Sequence, residues 1–255
     1  MDRSPRDKSK RRGPGRLDLS RGSALFRLEE HHLLFEDEHL VFVAKPAGLP
    51  SQTTLDPSRH HLAKALEEFL VARDGQAYVG QHHRLDLGTT GVMVFTKTKA
   101  ANPGIAEQFK KHTAQKTYLA LSVNRALEKG RSWRVKNFLA EDKEQKGHVH
   151  SVRSGGSPAE TAFKVLSVSP AAALIEARPS TGRRHQIRVH LAEDERAIYG
   201  DDTYASEKIA RGAPRLMLHA MKLELEHPIT GAKLAIECPP PEDFVSLAES
   251  LGIHF

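Results

Sequence analysis

The stretch His82-His83-Arg84-Leu85-Asp86-Leu87-Gly88-Thr89-Thr90-Gly91-Val92-Met93-Val94-Phe95-Thr96 changes character halfway along. Its first half is polar and turn-like, and its glycine lets the backbone approach a ligand closely. From Gly91 to Thr96 it becomes a compact apolar run of strand length. A carboxylate, Asp86, is therefore held where a buried strand begins, with Arg84 beside it and the hydroxyls of Thr89 and Thr90 after it. On these residues alone two readings stay open. Asp86 is a nucleophile or acid/base group at the lip of a cleft, or it closes an Asx-type turn.

Outward from this stretch the pattern is mostly of short strands. Upstream, Leu33 to Val43 reads as two strands around the acidic turn Glu36-Asp37-Glu38, broken by Lys45-Pro46-Ala47-Gly48-Leu49-Pro50. Residues 61–72 carry Leu62, Leu66, Phe69 and Leu70 at helical spacing. Downstream, 101–112 reads as a helix interrupted at its start by Pro103, and Thr117 to Val123 as a strand. Residues 129–158 are polar and hold strands with long loops. Thr161–Val168 pairs with Ala173–Ala177 around Ser169-Pro170, and Leu216–Leu225 with Leu234–Cys238 around Pro228-Ile229-Thr230-Gly231. No repeat period emerges. Many strands with a few interspersed helices predict an α+β fold, a mixed and largely antiparallel sheet with flanking helices and a central cleft.

Charge is unevenly placed. The 255 residues carry 38 Lys and Arg against 32 Asp and Glu, a net +6. Residues 1–22 hold eight of the basic and three of the acidic side chains, hence +5, and almost no apolar ones. Such a segment cannot bury enough surface to offset its ordering entropy and is expected to be a disordered basic tail. It is either a non-specific grip on phosphates or a dispensable solvated extension. Residues 23–255 are expected to form one folded domain. The single cysteine, Cys238, excludes an internal disulfide framework and fits a reducing compartment. No apolar run approaches the ~18 residues of a membrane helix. The N-terminus lacks the apolar stretch of a secretory signal. The expectation is a cytoplasmic protein with no membrane association.

Two further clusters can carry chemistry. In Ser180-Thr181-Gly182-Arg183-Arg184-His185-Gln186-Ile187-Arg188-Val189-His190-Leu191, Ser180 and Thr181 read as N-cap residues and Ile187 with Leu191 as an apolar i,i+4 pair. Arg184, Arg188 and Leu191 would then share one flank. Two arginines near a helix N-terminus oppose its dipole, so they answer to a site or form a solvated basic face. In Lys116-Thr117-Tyr118, Tyr118 opens an apolar strand and either stacks on a base or fills the core. Fifteen histidines include no HExxH, and neither GxxxxGK[ST] nor GxGxxG occurs, so no metal or organic cofactor is expected.

The series HRLD-x-x-T-x-G, KTYLAL, TGR-x-HQIRVHLA, GDDTY, LMLHA and HP-x-TG, in that order, resembles the RluA-type family of pseudouridine synthases, over roughly residues 30–245. The resemblance implies the pseudouridine synthase catalytic fold and isomerisation of selected uridines in structured ribosomal or transfer RNA. The N1–C1′ glycosidic bond breaks, the uracil turns, and C5 bonds to C1′. It implies Asp86 as the catalytic carboxylate, Tyr118 as the stacking tyrosine, Arg188 as the partner of the aspartate, and Arg84 as the group that displaces the target base. Arg183, Arg184 and His185 would meet the RNA, and Leu218, in preference to Met217, would line the pocket. It implies no cofactor, no obligatory protein partner and a monomer. No small RNA-binding module is expected before residue 30.

Chemistry agrees with this assignment. Cleaving a glycosidic bond to uracil needs a group that stabilises or captures an electron-poor C1′, and a carboxylate does so. A base drawn from its stack leaves a gap that Arg84 and Tyr118 are suited to occupy. The chain departs from the family pattern at Leu87-Gly88, at Arg184, where a small hydroxyl residue is usual, and at Glu195-Arg196-Ala197, where glycine, histidine and proline are common. Two other classes remain, a non-catalytic RNA-binding or chaperone protein on the same fold and a glycoside or nucleoside hydrolase. The retained aspartate argues against the first, and the want of a second paired carboxylate against the other.

Overall fold

The computed structural model of the chain describes residues 26–54, 56 and 59–254. The basic segment 1–22 lies outside them. The strands are β1 (Leu33–Glu36), β2 (Leu40–Lys45), β3 (Gly80–Gln81), β4 (Thr90–Thr96), β5 (Gln115–Val123), β6 (Ser132–Glu141), β7 (Val149–Val152), β8 (Ser157–Val168), β9 (Ala172–Pro179), β10 (Leu218–Glu226) and β11 (Lys233–Glu237). The helices are α1 (Leu62–Asp74), α2 (Asn102–Lys110), α3 (Gln186–Glu193), α4 (Glu207–Ala210) and α5 (Glu242–Ser250). The strands form one sheet in the order β1-β2-β4-β10-β5-β9-β8-β6-β7, with β11 beside β10 and β3 beside β4. Every pairing is antiparallel except β4 with β10. This is the α+β sheet that the strand-rich pattern predicts.

Burial along each strand follows its place in the sheet. All seven residues of β4 are buried, as expected of a central strand covered on both faces. β6, near the edge, has every other residue exposed over most of its length. The parallel join between β4 and β10 is unusually close. Gly91 has φ +118°, and a Cβ there would fall 2.2 Å from the Ala220 carbonyl oxygen, so the position admits only glycine. Beside it, His219 donates from Nε2 to the Cys238 carbonyl (2.7 Å), which leaves Nδ1 to accept from the Thr90 hydroxyl (2.9 Å).

Two apolar cores flank the join. One holds Leu62, Leu66 and Leu70 of α1 against β2 and β4, with Ile105 of α2. The other holds Ile187 and Leu191 of α3, Phe244 of α5, and the apolar residues of β5 and β9. Tyr118 packs against both, so it stands on the boundary where the cleft opens.

Two local expectations are corrected. Pro103 does not interrupt α2 but sits in its first turn, where a missing N–H breaks no helical bond. Ser180 and Thr181 do not cap α3, which starts five residues after Thr181, at Gln186. Ser180 instead extends the β8–β9 ladder, its N–H donating to the Glu160 carbonyl (3.0 Å). Thr181 donates its hydroxyl to Gln186 Oε1 (2.7 Å) and accepts from the Glu160 N–H (3.0 Å). The Gln186 amide, bonded onward to Glu160 and Thr161, organises the turn. Arg184 consequently lies outside the helix and does not share its flank with Arg188 and Leu191. At the far end, Glu195 takes φ +57°, a left-handed conformation, in the position where the resembled family favours glycine.

Candidate active site

The loop from His82 to Thr89 is held on both sides of Asp86. Before it, the Ser51 hydroxyl donates to the Leu85 carbonyl (2.8 Å) and accepts from the Leu85 N–H (3.1 Å). After it, the buried Lys45 ammonium donates to the carbonyls of Thr89 (2.9 Å), Leu87 (3.3 Å) and Pro46 (2.9 Å). Burial lowers the Lys45 pKa to about 7, against the pull of the Asp86 charge. The two histidines at the loop's start face inward. His83 accepts the Val94 N–H (3.0 Å) and stacks on Phe109 at 4.5 Å, and burial keeps it neutral, with a pKa of about 3.

Facing this loop, α3 presents Arg188 in its first turn. The guanidinium is gripped by Asp201, Nε to Oδ2 at 2.8 Å and Nη2 to Oδ1 at 2.7 Å, and Nη2 also donates to the Thr203 hydroxyl (2.8 Å). Nη1 is left to donate to Asp86 Oδ2 at 3.4 Å. The guanidinium carbon also lies 5.1 Å from the centre of the Tyr204 ring. Burial disfavours the charge on Arg188, but the bonds and charges of Asp201 and Asp86 outweigh it and raise its pKa. A cation at a helix N-terminus opposes the dipole, and the fully buried Asp201 supplies the compensation.

His185 completes the shell from a left-handed conformation (φ +55°) just before α3. Its Nδ1 lies 2.9 Å from the Tyr204 hydroxyl, which accepts the Val149 N–H at 2.9 Å and so has its own proton free for the ring. That arrangement puts the ring N–H on Nε2, 3.8 Å from Asp86 Oδ2. Burial lowers the His185 pKa to about 4; the Asp86 charge works against this, and those of Arg188 and Arg184 add to it.

These groups line a cleft of about 630 Å³. Tyr118 and Leu218 form part of its apolar wall, and Met217 lies in the core instead. Burial and the Asp86 charge both raise the Tyr118 phenol, so it stays protonated. Arg84 lines the cleft from an exposed position. Arg183 donates from Nε to the Pro158 carbonyl (3.0 Å), and Arg184 reaches Glu141 at 3.3 Å. All eight residues singled out from sequence therefore line one cavity. Sequence reasoning missed Lys45, Asp201 and Tyr204, which orient the site from behind, and Lys110 and Lys116, which line it. The first three sit in motifs already quoted, KPAGLP and GDDTY, but no local pattern says what they touch.

Among the described residues, Asp86 is the only carboxylate lining the cleft, against six Lys and Arg side chains. One carboxylate, one fixed arginine, a tyrosine face and cationic walls suit a polyanionic substrate whose reacting group needs a single anion. Among the described residues no group of three His, Cys, Asp or Glu could hold a metal ion, and no helix is long and apolar enough to cross a membrane.

Comparison with known proteins agrees. A family model described as RNA pseudouridylate synthase matches residues 39–193. Ribosomal large subunit pseudouridine synthase C of Vibrio vulnificus is 33% identical over 229 residues, 86% of this chain and 69% of that protein. Ribosomal large subunit pseudouridine synthase D of Nitrosomonas europaea is 32% identical over 86% of this chain and 64% of its own length. The chain thus spans about two thirds of these curated relatives. The solved structure of human RNA Pseudouridylate Synthase Domain Containing 4 superposes with a TM-score of 0.72 at 27% identity, over 88% of this chain and 94% of that one. The chain belongs to the RNA pseudouridylate synthase family.

Proposed function

We propose that this chain isomerises specific uridines to pseudouridine in structured RNA, with Asp86 as the catalytic carboxylate. The observation that carries this reading is a lone cleft carboxylate set 3.4 Å from a fixed guanidinium within otherwise cationic walls. The N1–C1′ bond breaks, C5 bonds to C1′, and the C5 proton is released as N1 gains one. No water and no electrons are consumed, so the chemistry calls for neither a second carboxylate nor a redox cofactor. Tyr118 supports the base against its face, Leu218 closes the apolar side, and Arg84 at the mouth occupies the place of the flipped nucleotide. The arginines Arg183 and Arg184, with His185, meet the backbone.

The ribosomal relatives support large-subunit ribosomal RNA as the first substrate to test. We place the activity in the cytoplasm, in a monomer that needs no protein partner, metal or organic cofactor. In an unmodified transcript of that RNA labelled with tritium at C5 of uridine, the wild type is expected to release tritium with EDTA present. Asp86→Asn should lower turnover by several orders of magnitude with RNA affinity within about tenfold. Full turnover in that variant would refute the assignment. Wild-type RNA binding without tritium release from total cellular RNA would favour the non-catalytic RNA-binding reading.

A further inference from the structure

Lys116 stands two residues before Tyr118 on β5, so both side chains leave the strand on one face, about 6.7 Å apart along it. Both line the cleft. The Lys116 ammonium donates to the Thr181 carbonyl at 3.2 Å. Burial alone moves its pKa, down to about 8; no carboxylate contributes. Its neighbours along this wall are His83, whose own pKa it helps to depress, the exposed Lys110 and His112 at the end of α2, and Arg183 from the turn after β9. This side of the cleft is therefore built from cations and neutral groups. An ammonium has three donors, and one neutral acceptor does not repay the burial of its charge.

Position separates Lys116 from the reacting centre. Tyr118 pairs with Ala220 of β10, which faces Gly91 of β4, whereas Lys116 pairs with Leu223, farther along β10 from the Asp86 loop that precedes β4. Lys116 therefore lies beyond Tyr118 as seen from that loop, where the RNA backbone rather than the uracil ring would pass. We propose that Lys116 binds a phosphate flanking the target uridine and anchors the flipped nucleotide while its base lies against Tyr118. This rests on the uridine-isomerase reading above. It adds a contact to a phosphate next to the target nucleotide, beside those that Arg183 and Arg184 make with the backbone from the turn after β9.

The test compares dissociation constants for uridine, uridine 3′-monophosphate and uridine 5′-monophosphate, measured by NMR titration of the whole chain. The wild type is expected to bind at least one monophosphate on the order of tenfold tighter than uridine, as a charge-assisted contact should give. The two monophosphates tell which flanking phosphate is held. Lys116→Met should bring the monophosphates to within about twofold of uridine, while Lys116→Arg keeps most of the advantage and Lys129→Met, at an exposed lysine outside the cleft, leaves it intact. Equal wild-type affinity for all three ligands overturns the proposal. So does a Lys116→Met variant that keeps the phosphate advantage, or one that weakens uridine and its phosphates alike. Tritium release from RNA by the wild type is scored separately. Its failure would sink the isomerase reading and not the measured phosphate preference.

Discussion

Asp201 binds Arg188 through two parallel hydrogen bonds of 2.8 and 2.7 Å, and so determines which guanidinium nitrogen is left for Asp86. Asp201 is itself fixed, its Oδ1 accepting the N–H groups of Thr203 (3.0 Å) and Tyr204 (3.1 Å). Asp86 thus faces an arginine whose orientation is set from behind by a second, buried carboxylate. Asp201 is a positioning residue.

Asp201→Asn is expected to lower kcat 10- to 100-fold with little change in KM for RNA, on the order of what a misplaced group costs. It should also destabilise the fold by about 3–5 kcal/mol, because a buried cation loses its partner. Urea unfolding and steady-state kinetics check the two effects. An unchanged kcat in a destabilised variant would leave Asp201 a purely structural role.

Lys45→Met removes the donor shared by the carbonyls of Pro46, Leu87 and Thr89. The loop after Asp86 should loosen, with kcat falling at least about tenfold and RNA affinity holding within a few-fold, because Lys45 does not line the cleft. Faster amide exchange at residues 86–89 is the structural readout.

Four histidines, His83, His185, His190 and His219, have pKa values lowered by burial, to about 3 for the first and about 4 for the others. All four are neutral when folded and protonated when unfolded between pH 4 and 6. Their contribution to stability is complete above the unfolded value near 6.5 and is lost as the pH falls toward 4. Together they set a slope approaching ~5 kcal/mol per pH unit near pH 5. Urea titrations at pH 6.5, 5.5 and 5.0 measure it. Uptake of fewer than about two protons on unfolding would contradict the burial of these rings.

Glu195→Gly relieves a left-handed conformation at the exit of α3. A gain of about 0.5–1 kcal/mol in unfolding free energy is expected, less the extra chain entropy that glycine brings to the unfolded state. Activity should not change, because Glu195 lies outside the cleft.

Deleting residues 1–22 removes eight basic side chains. If the segment grips phosphates, RNA affinity falls and the slope of log K against log salt flattens by about 0.7–0.9 for each phosphate that the segment had neutralised. An unchanged slope would make the segment dispensable for binding.

Much of the fold was legible because its signals are local. The β1–β2 turn, the β8–β9 and β10–β11 pairs and the apolar run of β4 all follow from side-chain period and turn residues within a dozen positions. The start of α3 was not. Ser180 and Thr181 are good caps by type, but Gln186 captures the Thr181 hydroxyl and Glu160 takes the Ser180 N–H, so tertiary contacts override the local preference. Glycine at 91 is visible in sequence; the backbone of Ala220 that requires it is not.

By itself the sequence determined the class of chemistry and the family. It places a carboxylate before a buried strand, a tyrosine at the start of another and an arginine early in a helix, and it puts +5 of the +6 charge in residues 1–22. Only the tertiary structure decided that these groups share one cleft. Asp86 and Arg188 are 102 residues apart and meet because β4 and β10 join in parallel, bringing the loop before one strand against the helix packed on the other half. The partners of buried charges, Asp201 for Arg188 and three carbonyls for Lys45, are likewise chosen by burial. A charge removed from water must find its counterpart in space, and sequence spacing carries no record of which one it finds.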